Sequence, residues 1–178
     1  MANYTENQAF QDEMRVMNRY QQEGVITGLW NLILNIHFPP SEDFVHRPQH
    51  GGKKGGKAGY TDIESSVWIQ HHRAKSRRPT RFLVTQCKRF AKEGQDSGWA
   101  EGVRQMNIYL GDIASSSKGR KYGIYGIVAI GKHVRFYEWD RKNKMVVDLG
   151  SGQPYHVKDD SVQVLNFLNM IKQNDKYV

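Results

Sequence analysis

The stretch Arg81–Phe90, RFLVTQCKRF, decides how this chain is read. Phe82 to Thr85 favour a buried strand, and then Gln86 and Lys88 stand where further apolar side chains would complete it. Side chains alternate along a strand, so Gln86 and Lys88 share one face while Thr85 and Cys87 share the other. An amide and an ammonium side by side at the end of a core strand need a polar neighbour. The preceding segment supplies one. In Tyr60–Gln70, YTDIESSVWIQ, Ile63, Val67 and Ile69 fall on one face and Asp62, Glu64, Ser66 and Trp68 on the other. Asp62 thus begins one strand, and Gln86 and Lys88 end its expected neighbour. A carboxylate and a second oxygen on adjacent strands suit a hard cation such as Mg²⁺. A lysine beside such a cation can orient or deprotonate a water and stabilise charge on a phosphodiester.

Around these strands the pattern is mixed. Apolar residues at helical spacing (Phe10, Met14, Met17, Tyr20) predict a helix over about residues 5–22 with Thr5 as its N-cap and Gly24 ending or kinking it. A second helix is expected from about Val25 to His37, stopped by Pro39 and Pro40. DFVHRPQH, residues 43–50, reads as a short strand, and GGKKGGKAG, residues 51–59, as a loop. Trp99, Val103, Met106, Leu110 and Ile113 mark the stripe of a further helix. Residues 121–140 read as two strands joined at Gly131–Lys132, and NKMVVDLG, residues 143–150, as a third. Val164, Leu165, Leu168 and Ile171 define a closing amphipathic helix. The expected class is α/β (α+β): a central mixed sheet flanked by helices, with N-terminal helices and a C-terminal amphipathic one, in a single domain over residues 1–178.

The chain carries a net charge of +8, from 26 Lys and Arg against 18 Asp and Glu. That balance favours polyanions, because neutralising phosphates releases condensed counterions. Lys53, Lys54 and Lys57 lie in the glycine-rich loop, and Arg73, Lys75, Arg77, Arg78 and Arg81 in HHRAKSRRPTR, so the two basic segments flank one strand. The glycine-rich loop is not a P-loop: Ala58 follows Lys57 in place of a hydroxyl residue, and a strand follows in place of a helix. No apolar run approaches the roughly 20 residues of a membrane span. The opening MANYTENQAF has neither the basic flank nor the apolar centre of a secretory signal. One cysteine, Cys87, fits a reducing compartment, and an intracellular protein without a membrane partner is expected. His46, His50, His71 and His72 match no metal-ligand spacing.

Three short motifs now stand in order: Gly59-Tyr60-Thr61-Asp62, Gln86-Cys87-Lys88 and Gln105-Met106-Asn107-Ile108-Tyr109. They resemble the GxxD, (E/Q)xK and QxxxY motifs of the PD-(D/E)XK nuclease superfamily, nearest its RecB-like branch, over about residues 59–125. The resemblance implies a restriction-endonuclease-like core and a metal-dependent nuclease hydrolysing phosphodiester bonds in DNA, with Mg²⁺ or Mn²⁺ as cofactor. It implies Asp62 as a metal ligand, Gln86 in the second ligand position and Lys88 as the catalytic lysine. Gln105 and Tyr109, at i and i+4, would orient the site or touch the nucleic-acid backbone, and the two basic segments would track that backbone. The family often adds a glutamate from the first helix; Glu13 is the candidate, with Glu6 and Glu23 close alternatives. Glu64, on the face of Asp62, is an alternative ligand or the partner of a basic residue.

Two features depart from the family pattern. Gln86 stands where glutamate is commoner, removing one unit of ligand charge, and the family also contains domains without activity. A catalytically inactive nucleic-acid- or protein-binding module is therefore the alternative function. The stretch from Asp62 to Gln86 is also long. DNA is favoured over RNA as the partner, and a homodimer would suit an enzyme cutting two strands.

Overall fold

The computed structural model describes residues 3–18, 20, 22–52, 59–70, 76–116 and 122–173. Helices α1 (Gln8–Val16) and α2 (Glu23–His37) precede strands β1 (Phe44–Gly52), β2 (Gly59–Gln70) and β3 (Arg77–Lys88). Helix α3 (Asp96–Ser116) leads to β4 (Tyr125–Ile130), β5 (His133–Asp140), β6 (Met145–Asp148) and β7 (Tyr155–His156), and α4 (Ser161–Lys172) follows. The strands form one mixed sheet in the order β1-β2-β3-β4-β5-β6, with β7 on the β6 side of β5. Only β3 and β4 pair parallel. A parallel pair needs a long crossover, and α3 supplies it.

Register and packing fix which helix covers which face. Gln86 pairs with Val128, Val84 with Gly126 and Lys88 with Ile130, so these six residues share a face. Helix α3 lies on that face: a Cβ on Gly102 would meet Val128 Cγ1 at 2.5 Å, and one on Gly126 would meet Met106 Sδ at 2.5 Å. Glycine here permits close approach of helix and sheet. The opposite face is covered by α2, whose Ile26, Leu29, Trp30, Ile33 and Leu34 are fully buried. Burying each of these side chains contributes about 1.5–3 kcal/mol. Helix α4 joins α2 on that side, where Phe167 stacks on Phe136 at 4.7 Å.

The N-terminal expectation needs correction. The predicted helix over residues 5–22 is a 3₁₀ turn at Tyr4–Glu6 followed by the shorter α1. Asn3 and Asn7, not Thr5, cap the two pieces: Asn3 Oδ1 accepts from Thr5 N–H and Asn7 Oδ1 from Phe10 N–H. Tyr20 is 77% exposed and adds nothing to the core. Gly24 lies in the first turn of α2 instead of ending a helix. The 12 residues each of β2 and β3 account for the long stretch between Asp62 and Gln86; Arg77 and Arg78 belong to β3 rather than to a loop.

Strand β3 also departs from simple alternation. Ser66 pairs with Arg81 and Ser65 with Leu83, leaving Phe82 as an extra residue. This bulge turns Phe82 onto the α2 side, where its ring lies 5.5 Å from both Phe38 and Phe44. Odd-numbered residues face α3 before it, and even-numbered ones after it. Among the described residues, no helix is long and apolar enough to cross a membrane.

Replacing Gly102 by valine should drive a branched side chain into Val128, which is itself fully buried. A loss of about 1–3 kcal/mol is expected in urea denaturation, as for overpacked cores.

Candidate active site

Asp62 lies one residue beyond the Ile63–Thr85 pair, which places it opposite Gln86 on the α3 side of the sheet. Its Oδ2 accepts a hydrogen bond from Cys87 N–H at 2.6 Å, so the end of β3 itself holds the carboxylate. Lys88 is close enough to act on the Asp62 charge, and so is Glu23, which also shares a side-chain hydrogen bond with it. Burial is the largest influence on Asp62 and raises its pKa from 3.8 to about 6. The Cys87 N–H opposes that rise, Glu23 adds to it and Lys88 opposes it. Across the face, burial first and then the Asp62 charge raise the pKa of Tyr109, so its hydroxyl keeps its proton at neutral pH. Cys87 points to the other face, where its thiol meets the Thr27 side chain; burial pushes its pKa well up, and it is a core residue.

Two buried amides remain incompletely bonded. Gln86 is 1% exposed, and its Nε2 has no hydrogen-bond partner. Gln105 donates from Nε2 to Glu101 at 3.3 Å, while its Oε1 is buried without a partner. An unbonded buried polar group costs about 1–3 kcal/mol, and Thr80 and Thr85 of β3 carry the same cost. A half-turn of the Gln86 amide exchanges its two ends and presents the carbonyl oxygen, the atom a hard cation takes.

Asp62, Gln86, Lys88 and Tyr109 thus gather on one face, with Gln105 one turn from Tyr109 on the same side of α3. Glu13 is not brought to them; it is exposed on α1. The glutamate beside Asp62 is Glu23, at the first turn of α2. Glu23 is one of the close alternatives that spacing could not separate from Glu13, and the start of α2 at Glu23 puts it there. Glu64 is 5% exposed, with Arg81 Nη1 3.5 Å from its Oε2. Arg77 pairs with Asp43 and donates to the Trp68 carbonyl. Arg78 is exposed. Both stand at the start of β3, about 3.3 Å per residue of strand away from Lys88, and so at the far end of the sheet. Lys53, Lys54, Lys57 and Arg73 lie outside the described residues. His46 is used in the core, its Nδ1 2.8 Å from Ser65 Oγ and its Nε2 3.0 Å from the Phe38 carbonyl. Among the described residues no three His, Cys, Asp or Glu side chains are grouped so that they could hold a metal ion. The donor set around Asp62 contains two carboxylates and an amide.

In comparisons with known proteins, no family model, no curated protein and no solved structure matched the chain.

The raised Asp62 pKa has a measurable consequence for the metal-free protein. Between about pH 4 and pH 6 the folded state keeps the Asp62 proton while the unfolded chain loses it. This contribution to stability is therefore present at low pH and is lost as pH rises through that window. With EDTA present, Asp62→Asn should match the wild type near pH 4. Near neutrality it should exceed the wild type by about 1–2 kcal/mol, allowing for partial solvation of the carboxyl. Urea titrations across the pH range check this.

Proposed function

We propose that this protein is a metal-dependent nuclease of restriction-endonuclease-like fold that hydrolyses phosphodiester bonds in DNA. The observation that carries the reading is the joint placement of Asp62, Gln86 and Lys88 on one face at one end of the sheet, with Tyr109 across from them. The order α2-β1-β2-β3-α3-β4 supports it, because it is the order the motif resemblance implies. The net charge of +8 supports a polyanionic substrate.

The residues present fit a hard divalent cation. Asp62 and Glu23 crowd two carboxyl groups together, an arrangement that raises pKa and that a cation relieves. Asp62, Glu23 and the Gln86 amide oxygen would hold Mg²⁺ or Mn²⁺, which supplies Lewis-acid polarisation of a phosphate oxygen and a more acidic water. The chain's own groups do the rest. Cys87 N–H fixes the direction of the Asp62 carboxylate. The Lys88 ammonium orients the attacking water and stands beside the negative charge that builds on the phosphate. The Tyr109 hydroxyl, protonated at neutral pH, can donate to a phosphate oxygen, and Gln105 flanks it. Carboxylates around the water exclude other anions and favour a substrate whose charge is neutralised by the cation.

A second reading rests on Gln86 itself: a module on the same fold that binds nucleic acid without cutting it. An amide in place of a carboxylate brings no negative charge to a cation and so weakens the hold on it.

Cleavage of end-labelled single- and double-stranded DNA, with Mg²⁺, Mn²⁺ or EDTA, separates the two. The nuclease reading expects metal-dependent cutting that falls by about 100-fold or more in Asp62→Ala and Lys88→Ala, with DNA binding retained. Glu23→Gln should raise the metal concentration needed, whereas Glu13→Gln should not. A wild type that binds DNA without cutting, together with activity gained on Gln86→Glu, would establish the inactive module instead.

A further inference from the structure

A second feature lies at the same end of the sheet. Gly131 N–H donates to the Lys88 carbonyl at 3.3 Å, so the β4–β5 turn sits directly beside the end of β3. Beyond that turn is a cleft of about 420 Å³, assembled from parts distant in sequence. Gln11 and Arg15 come from α1, Lys132 from the turn, His156 from β7, and Lys158 from just after β7. The turn is pinned: Glu93 Oε1 accepts from Lys132 N–H at 2.6 Å, and the Lys132 carbonyl accepts from Val157 N–H at 2.8 Å. Lys132 is thereby held in place by its backbone while its ammonium has no acidic partner among the described residues, and neither has that of Lys158.

The acids near the cleft are already engaged: Asp160 Oδ2, for one, accepts from His156 N–H at 2.7 Å. Asp12 pairs with Arg15 at 3.0 Å, with its side chain 50% exposed. Asp159 meets His156 Nδ1 at 2.9 Å, with its side chain 75% exposed. Glu93 is taken up by His133 Nδ1 at 2.7 Å, and the His133 ring lies 5.1 Å from that of His156. Three cations, an imidazole and an amide therefore line a concave surface, with the Lys132 backbone tied down. Such a surface takes an anion the size of a phosphate group.

The geometry points to a phosphate-binding subsite in this cleft, holding a backbone phosphate of the same nucleic-acid strand a few nucleotides from the one at Lys88. The inference rests on the nucleic-acid reading of the Asp62–Lys88 site, and it adds the path the strand takes. From the reacting phosphate the strand runs past the β4–β5 turn toward α1, on the opposite side from β1. Lys132 and Lys158 carry most of the attraction, because Arg15 and His156 already have acidic neighbours.

The test uses the full chain carrying Asp62→Asn, so that binding is read without cutting, and a fluorescein-labelled DNA oligonucleotide followed by anisotropy over a range of NaCl. Lys132→Gln with Lys158→Gln is compared with Lys142→Gln plus Lys144→Gln, a pair of exposed lysines in the β5–β6 turn at the other end of the sheet. Matched thermal midpoints establish that both variants fold. The subsite predicts that the first pair weakens binding about 5- to 10-fold at low salt. It should also make the slope of log K against log salt shallower by about 1–2, with the second pair unchanged. Equal losses in both pairs would reduce the effect to general charge and overturn the subsite, as would no loss in the first pair or no DNA binding at all. A wild type that never cuts, yet shows the site-specific loss, would remove the enzyme and leave the subsite standing.

Discussion

Strand β3 is bound on one edge to an antiparallel neighbour and on the other to a parallel one, and it is covered by helices on both faces. Water cannot reach the middle of such a strand, so each polar side chain there must be bonded by protein or by a ligand. Most of the molecule satisfies that constraint with apolar residues. Phe82, Leu83, Val84 and Cys87 are fully buried, and α2 and α3 press on them from either side. Three polar side chains of β3 break that rule: Thr80 and Thr85 bury unbonded hydroxyls, and Gln86 is buried and incompletely bonded at the point where the sheet begins to open. The strain is local because Asp62 and Lys88, one step toward the strand end, are only partly covered.

That arrangement gives the site its electrostatics. Asp62 sits close enough to the helices to lose hydration, close enough to Glu23 to feel its charge, and is fastened by a backbone N–H that cannot move away. A carboxylate so placed is costly to ionise. The fold accepts lower stability there and keeps a preset cluster of charges. The cleft beyond the β4–β5 turn carries the opposite sign. Negative and positive regions lie side by side at one end of the sheet.

Much of the architecture was legible from local pattern. Alternation marked β2, apolar spacing marked α2, α3 and α4, and Gly131–Lys132 marked the β4–β5 turn, because these signals come from each segment burying its own apolar face. The N-terminal helix was misread for the same reason. Met17 and Tyr20 continue the helical spacing, but α1 stops at Val16, where Asn18 Nδ2 donates to the Val16 carbonyl and Asn18 Oδ1 accepts from Tyr20 N–H, bonds that spacing does not register. Seventy-seven per cent exposure of Tyr20 shows how little a correct period guarantees once the chain has turned.

The sequence by itself determined the mixed α/β class, the excess of positive charge, and the polar residues Asp62, Gln86 and Lys88 set into strands otherwise made for a core. Those properties follow from residue type and from periods of two or of about 3.6, which are local. Only the tertiary structure decided that Glu23 rather than Glu13 stands beside Asp62, that Arg77 is spent on Asp43 at the far end of the sheet, and that Lys132 and Lys158 share a cleft. Each of these depends on strand register, on the bulge at Phe82 or on where α1 stops. A one-residue change in any of them sends a side chain to the other face.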